Sequence, residues 1–96
     1  MKFKISKKLI ENSVEFLNNY IDSNDAFIPL RGILFKIDYD NITMIGSNNY
    51  WNVRKIINTK DNNINIYEPG SFLINASLMR DVIKKFDEEI FLKVMV

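Results

Sequence analysis

Residues 69–86 read "PGSFLINASLMRDVIKKF", and this stretch decides the fold. A Pro-Gly turn opens it. "SFLIN" (71–75) follows as an apolar run of strand length, and residues 76–86 then change to helical spacing. Leu78, Met79, Val82, Ile83 and Phe86 are the positions expected to be buried, and Arg80, Asp81, Lys84 and Lys85 those expected to be exposed. A strand therefore feeds straight into a helix that carries cations on its wet side. The same grammar opens the chain. "MKFKI" (1–5) alternates, with Met1, Phe3 and Ile5 on one face and Lys2 and Lys4 on the other, as in a half-buried strand. Ser6 stands where an N-cap belongs. Residues 7–21 then carry apolar side chains at 9, 10, 14, 16, 17, 20 and 21, a wide helical stripe. The opposite face holds Lys7, Lys8, Glu11, Asn12, Glu15, Asn18 and Asn19, and "DSNDA" (22–26) ends the helix with turn residues.

Strands are expected between the two helices. In residues 30–38, Ile33, Phe35 and Ile37 point one way and Lys36 and Asp38 the other. Asp40-Asn41 is the expected tight turn into "ITMIG" (42–46), and "YWNVRKII" (50–57) follows the polar Ser47-Asn48-Asn49. "NTKDNN" (58–63) is a loop tip, "INIYE" (64–68) is an optional short strand, and "EIFLKVMV" (89–96) is a last strand. The class is α+β with two helices on antiparallel sheet, in the order β-α-β-β-β-β-α-β or with one further strand at 64–68. No linker, low-complexity segment or internal repeat is visible within one 96-residue domain.

Composition narrows the chemistry. The chain is 47% hydrophobic and 26% charged, ordinary for a globular domain. It has no cysteine, which excludes disulfides, thiolate metal sites and a Cys nucleophile, and no histidine, the usual proton-transfer group near neutral pH. No nucleophile–base pair, phosphate-cradling glycine loop or metal-ligand spacing occurs, so an enzyme, a metal and a cofactor are not expected. "DYDN" (38–41) lacks the glycine and glutamate of a calcium loop and reads as a hairpin turn. The N-terminus lacks a secretion signal and no run approaches a membrane span, so the expected location is cytoplasmic. Net charge of +1 does not by itself mark a nucleic-acid binder. Tyr50 and Trp51 suit base stacking, although a strand aromatic packed on its neighbours is the commoner case.

Three blocks in order carry a resemblance: "MKFKI" opening a helix, "IPLRGILFKIDYDNITMIGSN", and "EPGSFLINASLMRDVIKKF". The middle block matches at Pro29, Leu30, Ile42, Met44, Gly46, Ser47 and Asn48. The last matches at Pro69, Gly70, Ala76, Val82, Ile83 and Phe86, with Lys84 and Lys85 between. Together they resemble the first domain of the bacterial DNA polymerase III β subunits, the sliding clamps, from Met1 to about Val94. The resemblance implies a processivity fold, two helices backing a pair of antiparallel sheets. In that family three such domains make a chain and two chains close into a homodimeric ring around duplex DNA, with the helices lining the hole. It implies that residues 1–96 are most of the first domain without its last strand pair. Polymerase III and the clamp loader would then bind through domains absent from this chain.

The residues that the resemblance turns toward DNA are Arg80, Lys84, Lys85, Lys8 and Asn12; Leu78 and Val82 fall beside the subunit interface. Each has a plainer reading: the lysines as a solvated face easing the helix C-terminus, Leu78 and Val82 as core. Two positions that are often arginine in the family are Asp25 and Ser77 here, and "IGSNNYW" replaces Thr-Gly-Thr-Asp-Leu-Glu. The physics of sliding agrees with weak electrostatics. Lys7 and Lys8 offset Glu11 and Glu15, and Arg80, Lys84 and Lys85 exceed Asp81 and Asp87 by one charge. The clamp reading leaves 89–96 as an apolar edge through which the isolated domain is expected to self-associate. A rival reading is a small adaptor that accepts a partner peptide by strand addition at that edge. A third is a shortened clamp relative with no DNA role.

Overall fold

The computed structural model describes residues 1–86 and 89–93. Among these residues seven strands and two α-helices follow in the order β1 (Lys2–Ser6), α1 (Lys7–Asn18), β2 (Gly32–Ile37), β3 (Asn41–Ser47), β4 (Asn52–Asn58), β5 (Asn65–Glu68), β6 (Gly70–Asn75), α2 (Ala76–Ile83) and β7 (Glu89–Lys93). A 3-10 turn, Ile28–Arg31, precedes β2. The optional strand at 64–68 forms, so five strands lie between the helices instead of four. All pairings are antiparallel and divide into two sheets, β5-β1-β7 and β4-β3-β2-β6. The C-terminal end of the strand expected over 89–96, residues 94–96, lies outside the described residues.

Why the sheets hold is legible in their alternation. β2 buries Ile33, Phe35 and Ile37, and β3 buries Ile42 and Met44, opposite them in register. Phe35 also faces Phe72 of β6, their rings stacked with centroids 4.7 Å apart. Such a pair contributes about 0.5–1.5 kcal/mol beyond the area that it buries. Met1, Phe3 and Ile5 bring β1 into the same core, which both helices close with Ile10, Val14 and Leu17 from α1 and Ala76, Met79 and Ile83 from α2. Both helices are therefore amphipathic, pack against each other, and cover the sheets from within one core.

Both helices begin as the sequence predicts and end early. The Ser6 hydroxyl accepts the Leu9 N–H at 3.2 Å, and the Asn75 side chain accepts that of Leu78 at 3.0 Å. α1 stops at Asn18 instead of residue 21, and α2 at Ile83 instead of residue 86. In α2 the core face is 76, 79 and 83, at i, i+3 and i+7. Leu78 is out of phase with that stripe and is 55% exposed. Phe86, past the helix end, lies on the surface too, so neither belongs to the core. Val82 is half-buried. In α1 the same narrowing leaves Phe16 exposed while Ser13 is buried, its hydroxyl donating to the Leu9 carbonyl at 2.8 Å.

Two hairpin turns differ from expectation in register. Asp38 donates its N–H to the Asn41 carbonyl, so Tyr39 and Asp40 occupy the centre of the first turn. Buried Thr59 locks it: its N–H donates to the Asp40 carbonyl, and its hydroxyl to the Tyr39 carbonyl at 2.6 Å. The second turn spans residues 48–51, so Tyr50 and Trp51 precede β4 instead of opening it. Gly46 sits under the end of α1. A Cβ there would lie 3.2 Å from Ile21 Cδ1 and 3.6 Å from Leu17 Cβ, which explains a residue without a side chain.

Candidate nucleic-acid interface

The surface turned away from the core is built by the two helices. On α1, Lys8, Asn12, Glu15 and Asn19 are exposed. They stand on the side opposite Ile10, Val14 and Leu17, as a repeat of 3.6 residues requires. Lys7 and Glu11 are half-buried at its flank. Lys7 and Lys8 at the start of the helix are offset by Glu11 and Glu15 farther along, which leaves the face nearly neutral overall.

α2 contributes Asp81, Lys84 and Lys85, all exposed. Lys84 is the C-cap residue and Lys85 lies one position beyond, so these charges leave from the helix end instead of its middle. There they complement the carbonyl-rich end of the helix dipole, and they remain in water. Arg80 is different. Its side chain is 41% exposed, but its Nε is shielded, 4.0 Å from Asp81 Oδ1 and without a hydrogen-bond partner. It is half turned into the protein and carries its charge beside a carboxylate, so it offers a weaker field than either lysine.

Lys8, Asn12, Lys84 and Lys85 are thus solvent-facing on a packed helix pair, and Arg80 is only partly so. Leu78, exposed on α2, has half-buried Val82 four residues on, an apolar strip at the border of the polar surface. Asp25 is buried. Its carboxylate accepts the Phe27 N–H at 2.9 Å, and its carbonyl accepts Arg31 Nε at 2.7 Å. It builds the loop after α1 and does not face solvent. Ser77 is half-buried in the first turn of α2.

Several exposed apolar side chains escape a pattern reading. Phe27, Ile28, Leu73, Tyr50, Trp51 and Ile56 are all more than half exposed. The signal for Leu73 was present, since it falls on the opposite side of β6 from Phe72 and Ile74, both packed against the core. Phe16 has a different surrounding: its ring meets Tyr20 edge-on at 5.6 Å, and Lys55 Nζ lies 5.6 Å from its centroid. Trp51, at 63% exposure, does not pack into the sheet as a strand aromatic would.

Among the described residues no group of three or more acidic, His or Cys side chains is placed to hold a metal ion, and no helix is long and apolar enough to cross a membrane. The fold and its surface define an α+β module whose candidate site is a helix-built face instead of a pocket. The family model for the DNA polymerase III beta subunit, N-terminal domain, matches residues 1–96, and the chain belongs to that family. It is 30% identical over 91 residues to the beta sliding clamp of Mycoplasma genitalium, covering 94% of this chain and 23% of that protein. Against the beta sliding clamp of Lactococcus lactis it is 26% identical over 90 residues, covering 92% and 24%. The crystal structure of the Bacillus subtilis DNA polymerase sliding clamp superposes with a TM-score of 0.91 at 23% identity, over 99% of this chain and 26% of that one. The Streptococcus pneumoniae DNA polymerase III beta chain gives 0.92 at 26% identity, over 98% and 26%. The chain therefore spans about a quarter of the length of these relatives.

Proposed function

We propose that this chain forms the first domain, short of its last strand pair, of a homodimeric sliding clamp that encircles duplex DNA and tethers a replicative polymerase in the cytoplasm. Its role is mechanical and not catalytic. The observation that carries this reading is the helix pair, which turns a nearly neutral, Asn-bearing face outward from a core closed by two sheets. A ring that slides must hold DNA by enclosure, because fixed phosphate or base contacts would raise a barrier at every step. Lys8 and Asn12 on α1 and Lys84 and Lys85 past the end of α2 supply diffuse attraction at that face, with Arg80 as a subsidiary charge. Leu78 and Val82 border the join between subunits. Polymerase III and the loading machinery would engage the two further domains of the whole protein; a DNA ligase peptide is bound in the Helicobacter pylori beta clamp structure, which is similar over this whole chain.

The test is retention on DNA topology. Full-length protein carrying this domain, loaded onto nicked circular DNA, is expected to stay bound through gel filtration and to be lost when the circle is cut. Equal loss from both forms would overturn enclosure. In the same assay, changing Lys84 and Lys85 to Glu is expected to reduce loading at low salt and to matter less as salt rises.

A further inference from the structure

Asn48 ties down the turn between β3 and β4 with four hydrogen bonds. Its side-chain oxygen accepts the N–H groups of Tyr50 and Trp51, each at 2.8 Å, and its own N–H donates to the Trp51 carbonyl at 2.9 Å. Its amide nitrogen donates to the Tyr20 carbonyl at 2.7 Å, which pins the turn against the end of α1. On this fixed backbone Tyr50 is 86% exposed and Trp51 63% exposed. Two aromatic planes are displayed to water, and the cost of ordering their backbone has already been met in folding.

The neighbourhood tells what such planes would meet. Around a protein-binding anchor one expects an apolar patch that excludes water. Here the flanking residues are Asn49 and Asn52, both exposed, followed on the solvent side of β4 by the cation Arg54, then exposed Ile56 and Asn58. Three of the four exposed positions of that side are therefore polar. Amides match base edges, a cation matches a phosphate, and aromatic faces match any base. Asp22, two residues beyond the Tyr20 anchor, is exposed, and its carboxylate accepts the Asn24 N–H at 2.9 Å. We infer that the Tyr50–Trp51 turn is a stacking platform for unpaired nucleotides, with Asn49, Asn52 and Arg54 as its polar border. Bases inside a duplex are stacked on one another, so the platform would select single strands. The inference shares nucleic acid with the clamp reading but needs neither ring closure nor loading.

Trp51 is the only tryptophan of the chain, so its emission reports on the platform directly. Titration of the 96-residue chain with a short oligothymidylate at low salt is expected to give saturable quenching. Tyr50→Ala is expected to weaken the apparent affinity about five-fold or more, the lower end of what one stacked base contributes. An abasic oligomer and a duplex of equal length are expected to leave the emission nearly unchanged. Tyr50 is so exposed that the variant should fold, which an unaltered far-ultraviolet dichroism spectrum would verify. Three outcomes each overturn the platform: no quenching up to about 1 mM oligomer, beyond ordinary non-specific binding; equal quenching by the abasic strand or the duplex; or an unchanged titration with Tyr50→Ala. None of these bears on retention on circular DNA, so the two readings fail separately.

Discussion

α1 and α2 are built alike and finished differently. Each follows directly from a strand, each is capped by a polar side chain that accepts the N–H three residues on, and each closes one core. The strands around them are exchanged: β1, which precedes α1, pairs with β7, which follows α2, while β6 pairs with β2. This is one β-α-β plan used twice, although the residues show no repeat. The outer faces differ. α1 has twelve residues and presents amides and mixed charges, whereas α2 has eight and presents Leu78 next to its charges. A shared plan thus fixes where the two helices lie, while the exposed residues alone decide what each can touch.

The sharpest way to separate plan from surface is to remove one leucine of each kind. Leu17→Ala, fully buried beneath α1, is expected to cost about 2–5 kcal/mol in urea unfolding, through lost burial and the cavity left behind. Leu78→Ala should cost less than about 1 kcal/mol in the same measurement, because more than half of its side chain is already exposed. A large loss at Leu78 would mean that its side chain is packed against a neighbour and not exposed on α2. Asn48→Ala comes next, at about 1–2 kcal/mol, since it leaves the part-buried Tyr20 carbonyl without this partner and returns two exposed turn N–H groups to water. Ser6→Ala and Asn75→Ala are each expected to cost about 1 kcal/mol. Equal values would support equivalent caps, and a marked inequality would break the parallel between the helices. Smallest of all, the double change of Lys84 and Lys85 to Glu should lower thermal stability only slightly, through the dipole at the end of α2. Its main effect belongs to loading.

Much of this architecture was readable in advance, for a physical reason. Period-2 burial in β2 and β3, and the strand-to-helix switches at Ser6 and Asn75, are local signals, and they hold. The apolar pattern overextends both helices because Tyr20, Ile21 and Phe86 continue the stripe, yet an apolar side chain can pack without its backbone being helical, as Ile21 does against Gly46 and the core. The division into two sheets was expected from the family likeness alone, since it rests on pairings such as Lys2 with Lys93 that no local pattern specifies. The residues proposed to face DNA were legible as exposed positions on α1 and just past the end of α2. The partial burial of Arg80 depends on three-dimensional neighbours and was not. Asn48 was legible only as a turn residue, and its bond to Tyr20 spans 28 positions.

That exchange of strands has a kinetic consequence. Because β1 pairs with a strand up to 91 positions away, from Lys2 to Lys93, the smaller sheet cannot mature until these two distant segments meet. The other sheet is assembled largely from neighbouring hairpins and can organise first. Refolding of these residues should therefore be slow, on the order of milliseconds to seconds, as for mixed topologies rich in distant pairings. Amide exchange during refolding should protect Ile33, Phe35 and Met44 before Phe3 and Ile5.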